Sequence, residues 1–322
     1  MKLATLDEGA RGAPAAVLQS GEFLHLGRAA RRDSLERWMP HSMRRLLEAG
    51  EAGLDLVRGM VARAESASED QRGRWREQGV LLPAQARLKA PVPDAGLVLA
   101  AGLAYRSHLA EMSGTPAPPH PTAFIKASDS INAPQAPLYL PPGADAQVDF
   151  EGELAVVFGR DCHGVSEAQA MACVAGYTIA NDVSARDWVK QVWQAQSPWE
   201  ARLSWEVNIM GKQFPGFTCL GPVLLTADEV PDVTRLSLQT RLNGELMQSA
   251  PVSDLIFSVA RMIAHFSRWY RFRPGDVLLT GTPAGVGAGR KPQVFMRHGD
   301  IIEVQVEGIG VLRNPVLESA GA

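Results

Sequence analysis

Residues 147–159 read "QVDFEGELAVVFG". In an extended chain, side chains alternate between the two faces. Asp149, Glu151 and Glu153 therefore share one face, while Val148, Phe150, Gly152, Leu154, Val156 and Phe158 take the other. Beyond Glu153 the acid face itself turns apolar, with Ala155 and Val157. The stretch predicts a strand that dives into a core with three carboxylates at its mouth. Acids two residues apart on a strand stand about 7 Å from one another, and charges taken out of water need partners. Two readings are open here: a bound cation that gives the oxygens a common partner, or a surface strand whose acids pair with Lys or Arg.

A second acid weighs on the choice. "GYTIANDVSARD" (176–187) ends another apolar run on Asp182, with Asn181 and Ser184 beside it as groups able to orient a carboxylate. Two acids from one strand and one from another make three oxygen donors. All-oxygen sites select hard cations such as Mg²⁺, Mn²⁺ or Ca²⁺. Three protein ligands leave positions open for water or a chelating substrate, as a catalytic metal requires.

Outward from these strands, residues 1–28 alternate short apolar runs with Gly and Pro, as small strands do. Leu35, Met39, Leu46, Leu47, Leu54 and Val57 recur at helical spacing across 34–66. The charged stretch "ESASEDQRGRWREQG" (65–79) interrupts that apolar pattern, and a boundary near 85 divides a small N-terminal α/β domain (1–85) from a larger, mostly-β domain (86–322). In the larger part short β-like runs are punctuated by Pro and Gly. Asn243-Gly244 marks a two-residue hairpin. A helix capped by Ser253 or Asp254 is expected through "LIFSVARMIAHFSRWY", and a short one over 166–176. There is no regular βαβ alternation, so the expected class is α+β and mostly β, not a doubly wound parallel sheet.

With 322 residues, 46% of them hydrophobic, the chain is long enough for one large or two unequal domains. Its formal net charge of -3 and the lack of a basic patch beyond short Arg clusters argue against a nucleic-acid partner. Cys162, Cys173 and Cys219 form no CxxC pair, which predicts a reduced, cytoplasmic setting. The opening "MKLATLDEGARG" has no apolar core of a signal peptide. Apolar runs of about ten residues fall short of the roughly twenty a membrane helix needs, so no membrane partner is expected. The glycine-rich "GVGAGR" (285–290) is followed by a poor helix former and is read as a turn, not a dinucleotide loop. No G-x-S-x-G elbow and no H-x-x-x-H spacing occur, against a serine hydrolase and a zinc site.

From about 87 to 316 the ordered stretches "GLAYRSHLAE", "AFIKASDSI", "DFEGELAVVFGRD", "GYTIANDVSARD", "GKQFPGFTCLGP", "LNGEL", "IFSVARMIAHFS", "PGDVLLTGTPAGVG" and "GDIIEVQVEGIGVLRNPV" together resemble the fumarylacetoacetate hydrolase family of 2-oxo acid enzymes. The resemblance implies a mixed β-roll, commonly a homodimer, with Mg²⁺ or Mn²⁺ held by Glu151, Glu153 and Asp182 and with Asp149 in a supporting place. It further implies a catalytic His108–Glu111 pair in a lid-like segment, an active-site lysine at Lys212, and substrate contacts from Tyr105, Lys126, Arg186 and Thr282. A 2,4-dioxo acid would chelate the cation through its carboxylate and 2-oxo oxygen, and a water activated by His108 would attack C4. The implied activity is hydrolysis of an acylpyruvate-like C–C bond, with a lyase, isomerase or dehydratase reaction on a related 2-oxo acid, or binding without catalysis, as the rivals. Two positions depart from the family pattern: Ala104 replaces an expected Asn, and Val189 an expected Gln. The segment 189–210 is long and carries Trp193, Trp199 and Trp205, which are expected to line a pocket or fill core.

Overall fold

Period-2 patterning in the sequence emerges as strands that close on one another across long separations. The computed structural model describes residues 1–112, 116–187 and 195–319. The N-terminal part carries β1 (Lys2–Leu6), β2 (Ala13–Val17), β3 (Phe23–His25), α1 (Leu26–Arg32), α2 (Met43–Glu48), α3 (Gly50–Glu65), α4 (Glu69–Glu77) and β4 (Leu81–Leu82). There follow β5 (Leu88–Lys89), β6 (Val98–Gly102), α5 (Arg106–Glu111), β7 (Thr122–Lys126), β8 (Ile131–Asn132), β9 (Leu138–Leu140), β10 (Val148–Asp149), β11 (Gly152–Phe158), α6 (Glu167–Ala170) and β12 (Val174–Asp182). The C-terminal part adds β13 (Ser184–Ala185), α7 (Pro198–Met210), β14 (Thr218–Thr226), β15 (Ser237–Leu242), β16 (Glu245–Pro251), α8 (Val259–Phe266), β17 (Val277–Leu279), β18 (Ile301–Val306) and β19 (Gly310–Glu318).

The main sheet runs β4-β3-β2-β1-β14-β12-β11-β17-β6-β7, mostly antiparallel, with parallel pairs β17–β6 and β14–β8. A five-stranded sheet, β16-β15-β18-β19-β9, packs over β11 and β12. The architecture is α+β and dominated by sheet, as expected. β11 lies at the centre, and every residue of it is buried. Leu154, Val156 and Phe158 face the core shared with the smaller sheet, whereas Ala155 and Val157 face the core under α2 and α3. Burial on both faces is why the strand reads as a continuous apolar run after Glu153.

The boundary expected at 85/86 falls between β4 and β5, and the sheet runs through it. Lys2 and Leu3 of β1 pair with Leu225 and Leu224 of β14. Met43, Leu46 and Val57 join Ala155, Val157 and Leu279 in one core. The charged stretch after 65 forms α4, closed by a Ser68–Gln71 capping box and burying no residue. Asn243 (φ 53°) and Gly244 (φ 83°) both take the positive φ of a type I′ hairpin turn, as expected. The helix expected from Ser253 or Asp254 starts later: α8 is capped by Ser258, whose Oγ accepts from the Arg261 N–H at 3.1 Å. Two bonds hold the chain out of helix before that point. The Ile256 N–H donates to the Ala104 carbonyl at 2.8 Å, and Asp254 accepts from the Ser107 N–H at 3.0 Å, serving α5 instead of its own helix. The helix expected over 166–176 is a single turn, α6, after which residues from Val174 join β12. Among the described residues no helix is long and apolar enough to cross a membrane.

Candidate metal centre

The ladder breaks between β10 and β11. Asp149 pairs with Ser184, and pairing resumes only at Gly152, opposite Asn181. In the gap the Glu151 N–H donates to the Asn181 side-chain oxygen at 2.9 Å, and the Asp182 N–H donates to the Glu151 carbonyl at 2.9 Å. This local crossing sets Glu151 beside Asp182, with Glu153 next along β11. One carboxylate oxygen from each of Glu151, Glu153 and Asp182 lies within 4.8 Å of the others, and all three residues are buried. Ser184 donates to the Asp182 backbone carbonyl at 3.0 Å and Asn181 accepts from the Glu151 N–H, so the two groups expected to orient the Asp182 carboxylate bond backbone instead, and Lys126 and Lys212 meet the carboxylate.

Three cations meet these acids. The Lys212 ammonium donates to Glu151 at 2.7 Å and to Asp182 at 2.8 Å. Arg186 bridges Asp149, at 3.1 Å, and Glu151. Lys126 donates to Asp182 and, at 3.0 Å, to the Phe217 carbonyl. Burial alone would raise the Glu151 pKa, but Lys212 and Arg186 outweigh it and hold the carboxyl at about 2. Glu153 receives no cation among these contacts; its Oε2 accepts from the Gly281 N–H at 2.6 Å. Burial, followed by repulsion from Asp182 and Glu151, pushes its pKa well above the usual carboxylate range. Counting Asp149, four acids thus face three cations among the described residues. Buried oxygens in excess of their counter-charges, converging from two strands, fit a hard divalent cation.

A family match covers residues 97–317 and is described as "Fumarylacetoacetate (FAA) hydrolase C-terminal". The chain belongs to the fumarylacetoacetate hydrolase family. Among relatives of known name, the mitochondrial oxaloacetate tautomerase FAHD2B of Bos taurus is 37% identical over 88% of this chain and 82% of its own. The 2,4-didehydro-3-deoxy-L-rhamnonate hydrolase of Sphingomonas sp. (strain SKA58) is 38% identical over 74% of this chain and 79% of its own. The solved fumarylacetoacetate hydrolase of Exiguobacterium antarcticum superposes with a TM-score of 0.75 at 30% identity, over 99% of this chain and 100% of that one.

In this fumarylacetoacetate hydrolase fold, α5 presents the expected pair. His108 Nδ1 and Glu111 Oε2 are 3.3 Å apart, one helical turn from each other. A carboxylate partner assigns the proton to Nδ1 and leaves Nε2 as the acceptor. Glu111 also accepts from the Gly285 N–H at 3.0 Å. The glycine stretch set aside in the sequence proves to be a cradle for carboxylates. The N–H groups of Gly287 and Ala288 donate to Asp149 at 2.7 and 3.1 Å. A Cβ on Gly289 would stand 2.3 Å from the Glu111 carboxyl carbon, and one on Gly287 2.7 Å from an Asp149 oxygen. Its glycines allow close approach to acids of the site.

The remaining expected contacts sit deeper. Tyr105 is fully buried at the start of α5, and burial, reinforced by Glu153, raises its hydroxyl pKa. Lys126 is buried against Asp182, where a substrate carboxylate was expected to be its partner. The Thr282 hydroxyl donates to the Gly152 carbonyl at 3.0 Å and accepts from Gln248 at 2.7 Å. Gln248 was missed in the sequence. Ala104 is buried against Gly281, where a Cβ would come within 2.6 Å of the Ala104 methyl. Val189 and Trp193 lie outside the described residues. Trp199 and Trp205 are 61% and 51% exposed on α7, so neither fills core.

Proposed function

We propose that the chain is a divalent-metal hydrolase that cleaves the C3–C4 bond of an acylpyruvate-like 2,4-dioxo acid, with Mg²⁺ or Mn²⁺ held by Glu151, Glu153 and Asp182. The observation that carries this reading is the convergence of three buried carboxylate oxygens within 4.8 Å. The Sphingomonas relative supports it, since its name describes hydrolysis of a sugar acid oxidised at C2 and C4. A bound cation would supply Lewis-acid stabilisation of the charge left on the pyruvate half.

The chain's own groups do the rest. His108 Nε2 takes a proton from the water that adds to C4, while Glu111 holds the imidazolium through Nδ1–H. The Gly285 N–H keeps Glu111 in place. Lys212, bonded to both Glu151 and Asp182, helps keep Glu151 ionised and offers positive charge where negative charge develops. Bond cleavage leaves a carboxylic acid from C4 and, after a proton returns to C3, pyruvate. The same reading includes a homodimer, for which Trp199, Leu203 and Met210 of α7 offer an exposed apolar face.

The tautomerase relative, similar over 88% of this chain, favours a second reading in which the same groups move a proton between C3 and the 2-oxygen and no water enters. The deciding experiment uses metal-stripped protein with Mg²⁺ or Mn²⁺ restored, acetylpyruvate and enol-oxaloacetate as substrates, and product mass as the readout. Cleavage of acetylpyruvate to pyruvate and acetate, lost with EDTA and lowered roughly 10²–10⁴-fold in His108→Ala, is expected. Ketonisation of oxaloacetate without cleavage of acetylpyruvate selects the second reading. Turnover indifferent to EDTA overturns both.

A further inference from the structure

Gly152 is the residue between two of the proposed ligands. Its N–H donates to Gln248 Oε1 at 3.0 Å, and its carbonyl accepts from Thr282 Oγ1 at 3.0 Å. Gln248 Nε2 donates to Thr282 Oγ1 at 2.7 Å and to the Pro283 carbonyl at 2.9 Å. One residue before Thr282, the Gly281 N–H holds Glu153 at 2.6 Å. The roles in this circuit are forced. A backbone N–H only donates and a carbonyl only accepts, so the amide oxygen must face Gly152 and the NH₂ must face the turn. The single Thr282 proton goes to the Gly152 carbonyl, which leaves its oxygen to accept from Gln248.

The circuit is sealed from water: Gln248 is 1% exposed and Thr282 5%. A side chain at 152 is excluded as well, because a Cβ there would meet Thr240 Oγ1 at 2.1 Å. A β-bulge makes the arrangement possible. Thr240 pairs with Gln248 and Arg241 with Leu246, which leaves Met247 as the extra residue and turns Gln248 inward. Glutamate at 248 would keep the acceptor and lose both donors; alanine would lose all three contacts.

We propose that Gln248 is a positioning residue of the metal centre: it clamps the peptide between Glu151 and Glu153 onto the 280–283 turn and so sets where the Glu153 carboxylate stands. The proposal rests on the reading of Glu151, Glu153 and Asp182 as a cation site. Gln248 acts through Gly152 and the turn, with no reach to substrate required.

The test compares Gln248→Ala and Gln248→Glu with Asn314→Ala. Asn314 is an equally buried amide that holds the Ala133 and Ala136 carbonyls, each at 2.9 Å, and among the described residues hydrogen-bonds to no site residue. Amide hydrogen exchange at Gly152 and Gly281 and Mn²⁺ affinity by calorimetry are measured on the full chain. In Gln248→Ala both amides exchange faster and Mn²⁺ binds roughly 10–100-fold more weakly, the usual loss when a group supporting a ligand is removed. In Gln248→Glu the Gly152 amide stays protected, Gly281 is released, and affinity falls. Asn314→Ala lowers Tm and leaves both readouts at their wild-type values. Unchanged exchange in Gln248→Ala, unchanged Mn²⁺ affinity despite faster exchange, or equal effects in Asn314→Ala would each overturn the proposal. A wild-type protein that binds no Mn²⁺ overturns the metal reading itself, and is told apart because it fails before any substitution is made.

Discussion

Two regions of this protein pair arginine or lysine with carboxylates, and they do so to different ends. In the N-terminal layer, Arg32 and Arg63 hold Asp33, Arg76 joins Glu22 to Glu69, and Arg58 joins Glu51 to Asp55, all within reach of water. Such pairs contribute about 0–1 kcal/mol each and are weakened by salt. Around the head of β11 the same chemistry is buried, shared and unbalanced. Lys212 and Arg186 each serve two acids, and Glu153, among the described residues, meets a backbone N–H alone. Ion pairing is common to both regions; an excess of converging acid away from water belongs to one. That excess, not the number of salt bridges, marks a place for a cation.

The contrast breaks most visibly at Asp182. Asp182→Asn leaves Lys126 and Lys212 buried with less counter-charge, so unfolding free energy in urea should fall by roughly 3–5 kcal/mol along with loss of activity. A loss within 1 kcal/mol of zero would mean that these pairs are as weak as the surface ones. Glu153→Gln sharpens the point, because it removes a proposed ligand without orphaning a cation. Mn²⁺ binding should vanish while unfolding free energy stays within about 1 kcal/mol of wild type; retained Mn²⁺ binding would take Glu153 out of the ligand set. At the other extreme, Asp33→Asn should cost no more than about 1 kcal/mol, with the difference shrinking in high salt. A cost equal to that of Asp182→Asn would erase the contrast.

The smallest effect concerns pH in the N-terminal layer. His25 caps α1, its Nδ1 accepting from the Arg28 N–H at 3.2 Å, while Nε2 faces Glu8 at 3.3 Å. Burial, then the Arg28 charge, holds the imidazole below its ordinary 6.5. The unfolded chain therefore takes up this proton first as pH falls, and native stability declines from about pH 6.5 down through the lower native pKa. His25→Asn puts a capping oxygen in place of Nδ1 and removes the titration. Melting curves between pH 7.5 and 5 should show wild type losing more Tm than the variant; parallel curves would exclude His25 as the source.

Much of the centre was legible as one-dimensional pattern. Alternation along 147–159 put Glu151 and Glu153 on one face, and the apolar run ending at Asp182 supplied the second strand. Asn243-Gly244 announced its hairpin. The cationic half was named residue by residue, yet the assigned partners shifted: Lys126 was expected to meet substrate and instead meets Asp182. Gln248 was invisible because strand alternation puts it outside, and only the extra residue Met247 reverses that. The first strand gave no sign that its partner, β14, begins more than 200 residues later.

The division has a physical cause. Backbone geometry imposes a period of two on any strand and positive φ on a tight hairpin, so local text suffices to mark strands, faces and turns. Bulges, caps supplied from afar and the neighbours of a buried charge depend on which segments meet, and that is chosen by the packing of the whole chain. Hence the acids could be read from the sequence, whereas their counter-charges, their spacing and the amide that clamps them appear only once β11, β12, β16 and the 280–288 turn have come together.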